Sequence, residues 1–155
     1  MRAIMIVLLL IHIISVVIWV GGMVFAHFML RPAAQMLEPP LRMKLFRGVL
    51  ERFLPVVGVL ILLILGSGFG MIAVGFGFAH VPQYVNIMLG LGIVMMLAFG
   101  HLYFAPWRRF KSALDSGDFG SGGRALGQIR ALVTFNLYLG LIVVAVGATG
   151  RYWGG

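Results

Sequence analysis

The stretch Ala3 to Leu30, AIMIVLLLIHIISVVIWVGGMVFAHFML, contains no acidic residue, no lysine and no arginine. It exceeds the roughly 20 residues that a helix needs to cross the hydrocarbon core of a bilayer. Inside it lie two imidazoles, His12 and His27. An ionisable group at that depth is costly unless it faces a cavity, a partner or a ligand. The stretch therefore predicts a membrane-spanning helix and also says where function is to be sought.

The remainder of the chain agrees. Hydrophobic residues make up 61% of the sequence, charged residues 10%, and mean hydropathy is +1.06, whereas about a quarter of a soluble domain is charged. Three further runs, Phe53 to Phe78, Tyr84 to Pro106 and Ala131 to Gly150, are uncharged and near spanning length. The expectation is an all-α integral membrane four-helix bundle, forming one domain over residues 1–155. Met1 and Arg2 before an apolar run resemble a signal peptide, but no small-residue cleavage site interrupts the run, so a retained helix is expected. The absence of cysteine excludes disulfides, thiolate metal sites and covalent c-type haem attachment. A metal would have to be held by nitrogen, oxygen or thioether.

Ten of the twelve basic residues fall in two segments, Arg31 to Arg52 and Trp107 to Arg130. The positive-inside rule makes that side cytoplasmic and both termini external, in a bacterial-type inner membrane. The net charge of +8 is then explained by topology and anionic headgroups rather than nucleic acid. After Glu38-Pro39-Pro40, the residues Leu41, Leu45, Val49 and Phe53 recur at helical spacing beside Arg42, Lys44 and Arg47, which predicts a short cytoplasmic interfacial helix. Asp115 to Asp118 and Gly120 to Gly123 read as turns.

Rotating the first helix by about 100° per residue places Met5, Val16, Trp19, Met23, His27 and Leu30 within about 60° of His12. Met29 falls on another face. The stripe is expected to face the bundle. On the third helix, Asn86, Gly90, Val94 and Leu97 share the face of a third intramembrane histidine, His101, while Met88 and Met95 lie some 120–140° away. By depth, His27 and His101 come to similar levels near the cytoplasmic side, and His12 lies about 22 Å further out than His27. Gly66, Gly68, Gly70, Gly75, Gly140 and Gly147 suit either close helix packing or space for a flat ligand. Thr134, Asn136 and Tyr138 could bond to an imidazole N–H or simply bridge helices.

No carboxylate accompanies these histidines within the spans, which disfavours a proton pump. Histidines in a helical bundle suit b-type haem, with Arg31, Arg108, Arg109, Arg124 and Arg130 at the rim for its propionates. On this reading the ligands are His12 and His101, with His27 as an alternative. The protein would then be cytochrome-like, or a haem-dependent oxidoreductase, exchanging electrons with a membrane redox partner or quinone. Copper is the competing cargo, since thioether and imidazole suit Cu(I) and Met23 stands one turn before His27. A non-catalytic assembly subunit is the third reading, and a homo-oligomer is compatible with all three.

The run from His12 through Trp19 to Met23, then Leu30-Arg31-Pro32-Ala33, and the stretch Arg124 to Arg130 before a last span resemble the small membrane proteins of the CopD copper-resistance family. The spacing of His12 and Trp19 is also distantly similar to HemJ-type protoporphyrinogen oxidases. The first resemblance implies four inner-membrane helices and copper homeostasis. The second implies b-type haem with His12 as an axial ligand. The third-helix lysine of the HemJ pattern falls at Met88 here, so that resemblance does not extend to protoporphyrinogen oxidation.

Overall fold

The computed structural model describes residues 1–153, which are helical almost throughout. Helix α1, Arg2–Phe25, continues through one π-helical turn, Ala26–Leu30, into a last short turn that ends at Met36. Helix α2, Pro39–Met71, starts where Pro39 occupies the first helical position, a place that needs no N–H. It ends in a second π-helical turn, Ile72–Phe76, and at Gly77, whose φ of +70° favours glycine. Helix α3 is Gln83–Phe104, α4 is Pro106–Asp115 and α5 is Phe119–Thr149. Four of these stretches are long and apolar enough to cross a membrane, so the predicted all-α four-span architecture is observed.

The helices pack as two antiparallel pairs, α1 along α2 and α3 along α5, and α5 also touches α1 and α2. Two buried clusters hold them together. At the basic end, Phe46, Leu50 and Leu54 of α2 meet Leu102, Trp107, Phe110, Leu126 and Ile129. Midway along the bundle, Trp19, Val20 and Met23 meet Val57, Leu60, Met95 and Leu137. Side chains such as Val17, Leu62 and Phe104 remain exposed on the outer faces, as lipid contact requires.

Two local expectations are corrected. The segment Leu41 to Phe53 is helical but not a separate interfacial helix: it forms the first turns of the 33-residue α2. The helix runs on into the span through Pro55, and its buried members Met43, Phe46 and Leu50 are held in the basic-end core. The short amphipathic helix is instead α4, set off from α3 at Ala105, whose φ of −116° and ψ of −82° precede Pro106. It buries Trp107, Phe110 and Ala113 and leaves Arg108 and Arg109 exposed. Gly117 turns the chain with φ +74°, but Gly120 to Gly123 are helical within the first turns of α5. Asp118 caps that helix by accepting the Ser121 N–H at 2.9 Å.

Both basic segments meet at the same end of the bundle. Arg47 of α2 pairs with Glu51 at 3.0 Å and with Asp115 of α4.

Candidate functional site

The α1 stripe points inward as its periodicity predicts. Trp19 and Met23 are buried, as is Ser15, while Ile13, Ile14, Val17 and Ile18 are exposed. Small residues on α2 let the stripe approach closely. Met5 lies against Gly75, Leu8 against Gly70, and the His12 ring against Gly68. The glycines of this stripe are thus used for helix contact, the first of the two uses their spacing allows.

His12 and His27 are each held by a hydroxyl on a neighbouring helix. His12 Nδ1 lies 3.0 Å from Ser67 Oγ and 3.2 Å from the carbonyl of Ile64. The Ser67 hydroxyl gives its own proton to the carbonyl of Leu63. A carbonyl can only accept, so Nδ1 carries the hydrogen and donates it. His27 repeats the arrangement, with Nδ1 3.1 Å from Thr134 Oγ1 while that hydroxyl donates to the Arg130 carbonyl at 2.8 Å. A neutral ring held in this way keeps its lone pair on Nε2, the form in which imidazole ligates a metal.

His27 sits in the π-helical turn and lines an internal cavity of about 70 Å³ between α1, α2, α3 and α5. Trp19, Met23, Phe53, Phe99, Arg31, Arg130 and Asn136 also line it. Met23 and Met95 are each only 3% exposed, and their terminal methyls converge on Gly140: a Cβ there would stand 3.6 Å from Met23 Cε and 3.2 Å from Met95 Cε. Asn136 donates from Nδ2 to the carbonyl of Met95 at 3.0 Å, and its Oδ1 is buried with no partner.

The third helix is turned the other way from the expectation. Leu97 is 69% exposed, and Val94, Gly90 and His101 are also exposed, while Met95 and Leu102 are buried. The reason is steric. Met95 fits over Gly140, and one heptad away Met88 fits over Gly147, with Cε 3.3 Å from where a Cβ would be. Packing these methionines over glycines leaves the His101 imidazole on the outer face. Gly90 has nothing within 4 Å of a Cβ and is not used for close packing.

The histidines are therefore not brought together. His101 does not line the cavity that His27 lines, and His12 faces the α2 glycines well away from it. Among the described residues no three histidine, aspartate or glutamate side chains converge as a metal group. Arg31 lines the cavity, whereas Arg108 and Arg109 are exposed on α4. This arrangement does not support haem b. Sites for ligands of even drug size measure roughly 300–1,000 Å³, and the internal cavity is about 70 Å³. The larger outer groove beside it, about 530 Å³, has no histidine in its walls. Met23 and His27 give the cavity wall one thioether and one imidazole.

Sequence reasoning set Met95 aside. The signal that could have recovered it is the equal heptad spacing of Met88 and Met95 on one helix and Gly140 and Gly147 on its antiparallel neighbour.

The family profile for copper resistance protein D, CopD, matches residues 47–149, about two thirds of the chain. No curated protein and no solved structure matches it. The matched region contains Met95, Arg130, Thr134, Asn136 and Gly140, and it begins after His12, Met23 and His27. A four-span helical bundle with this profile over most of its length belongs to the CopD family, a group of membrane proteins connected with copper resistance.

Proposed function

We propose that this protein handles copper within a bacterial-type inner membrane, its basic end cytoplasmic, and takes Cu(I) as cargo in the cavity lined by Met23 and His27. The observation that carries the reading is a buried thioether, Met23, in the wall of the same cavity as His27, a histidine whose Nδ1 is engaged by Thr134 and whose Nε2 is left to ligate. Thioether and imidazole are soft to borderline donors that select Cu(I) over hard cations. A cavity of about 70 Å³ has room for an ion. Family membership supports the same cargo.

The remainder of the α1 stripe supports passage along the bundle. His12, again with Nε2 free, and Met5 lie toward the opposite end. His12 is about 16 Å from Met23 at 1.5 Å per residue, too far for one ion to be shared. The two positions act as separate stations, with the buried Ser15 and Trp19 between them.

Titration of the purified, detergent-solubilised protein with Cu(I) against a chromogenic chelator, under reducing conditions, tests the reading. The wild type is expected to hold Cu(I), and His27→Ala to hold it at least tenfold more weakly. Wild-type protein that gives up all Cu(I) to a weak chelator, or shows haem bands in a reduced-minus-oxidised spectrum, would overturn it.

A further inference from the structure

Arg130 is placed unusually for a cation. Its guanidinium lies 4.7 Å over the ring of Phe46, and its Nε is buried without a hydrogen-bond partner. Arg31 and Arg42 lie close enough for their charges to act on it. No carboxylate balances the three: among the described residues both ion pairs belong to Arg47, and Asp118 is committed to its cap. Like charges gathered at a protein surface without counter-charge favour an anion.

The space beside these cations has a shape. Arg31 and Arg130 stand at one end of an open groove of about 530 Å³ that continues along α5 past Ala131 and Phe135 to Tyr138. From Arg130 to Tyr138 is about 12 Å along the helix. The cationic end lies at the basic end of the bundle, where headgroups sit, and the apolar and aromatic wall runs toward the bilayer interior. An inorganic anion would use the first part of this groove only. An amphipathic ligand with an anionic head and an acyl chain uses both.

We infer that this groove is a binding site for an anionic phospholipid, its phosphate held between Arg31 and Arg130 and its chain laid against Phe135 and Tyr138. Guanidinium is the side chain best matched to phosphate, through paired N–H donors in a fixed plane. The site does not depend on the copper reading, but it bears on it. Arg31 and Arg130 also line the cavity that contains His27, so a phosphodiester between them offsets one of the two positive charges at the edge of a site for a cation. Thr134, which orients His27, forms part of the groove wall.

The test is lipid retention by native mass spectrometry, using purified protein in detergent supplied with phosphatidylglycerol, phosphatidylcholine or inorganic phosphate. One phosphatidylglycerol per chain is expected to be retained in preference to phosphatidylcholine. Arg31→Gln and Arg130→Gln are each expected to lower that retention about fivefold, the value of one basic residue near an anionic headgroup. Arg109→Gln, on the exposed face of α4, is expected to leave it unchanged. The two groove variants lie on different parts of the chain, and far-UV circular dichroism identifies either one that fails to fold. Equal retention of both lipids, or equal loss in all three variants, overturns the proposal. So does competition by inorganic phosphate that displaces phosphatidylglycerol at equal concentration, because the apolar wall would then contribute nothing.

Discussion

His27 Nδ1 lies 3.1 Å from Thr134 Oγ1, a hydroxyl whose proton is already given to the Arg130 carbonyl at 2.8 Å. A helix residue that bonds back to its own i−4 carbonyl thus becomes an acceptor for the imidazole of another helix. One short chain of two hydrogen bonds ties α5 to the π-helical turn of α1 and sets the tautomer of the ring.

Replacing Thr134 by valine keeps the shape and removes the acceptor. The His27 ring is then free to exchange tautomers, which ¹⁵N chemical shifts of labelled histidine read directly. Affinity for Cu(I) is expected to fall about 10- to 100-fold, as for other residues that orient a metal-binding imidazole. Thr134→Ser should restore both. Unchanged shifts in Thr134→Val would show that the hydroxyl does not set the tautomer.

Met23→Leu separates packing from metal binding. Leucine conserves most of the volume over Gly140, so the stability change should stay below about 1.5 kcal/mol. Cu(I) affinity should nevertheless drop by at least tenfold through loss of a thioether. The matching control is His101→Ala. With its ring exposed outside the cavity, that variant should bind Cu(I) like the wild type.

Gly140→Ala adds a methyl 3.0 Å from Val20 Cγ2 and 3.2 Å from Met95 Cε. The neighbours must move by a few tenths of an ångström, at a cost of about 1–3 kcal/mol if they cannot relax. Gly90→Ala meets nothing within 4 Å and should be neutral or stabilising by up to about 1 kcal/mol through helix propensity. Thermal melts of the two variants in one detergent make the comparison. A Gly140 variant as stable as the Gly90 variant would contradict the packing described here.

The Asp118 cap predicts an acid sensitivity. The Ser121 side chain and N–H hold the Asp118 carboxyl below its ordinary value of 3.8. A depressed folded-state pKa means that the cap is fully formed above the ordinary carboxyl range and is lost as pH falls through the lower folded value. Amide exchange at Ser121 and Gly122, corrected for the intrinsic effect of pH, should therefore stay slow at pH 4 and quicken only below it. Asp118→Ala should exchange quickly at every pH.

Much of this protein follows from local composition. Uncharged runs of spanning length determine the four helices, because the bilayer leaves the backbone no other way to satisfy its hydrogen bonds. The α1 stripe was legible because Ser15, Trp19, Met23 and the two histidines contrast with an otherwise aliphatic surface. The pairing of Thr134 with an imidazole was one of two options that its position allowed, and the observed contact is the imidazole.

The rest was decided in three dimensions. Helix α3 is apolar all round, so hydrophobic periodicity carries no rotational information, and the one histidine suggested the wrong phase. Its rotation is set by where α5 has no side chain, at Gly140 and Gly147, which is a property of two helices together. In the same way Leu41 to Phe53 joins the second span because Phe46 and Leu50 find Trp107, Phe110 and Ile129 across the bundle. Sequence alone determines which segments enter a membrane, because that is settled by each segment against its solvent. Which faces meet, and hence which donors share a cavity, depends on the complementarity of shapes far apart in the chain.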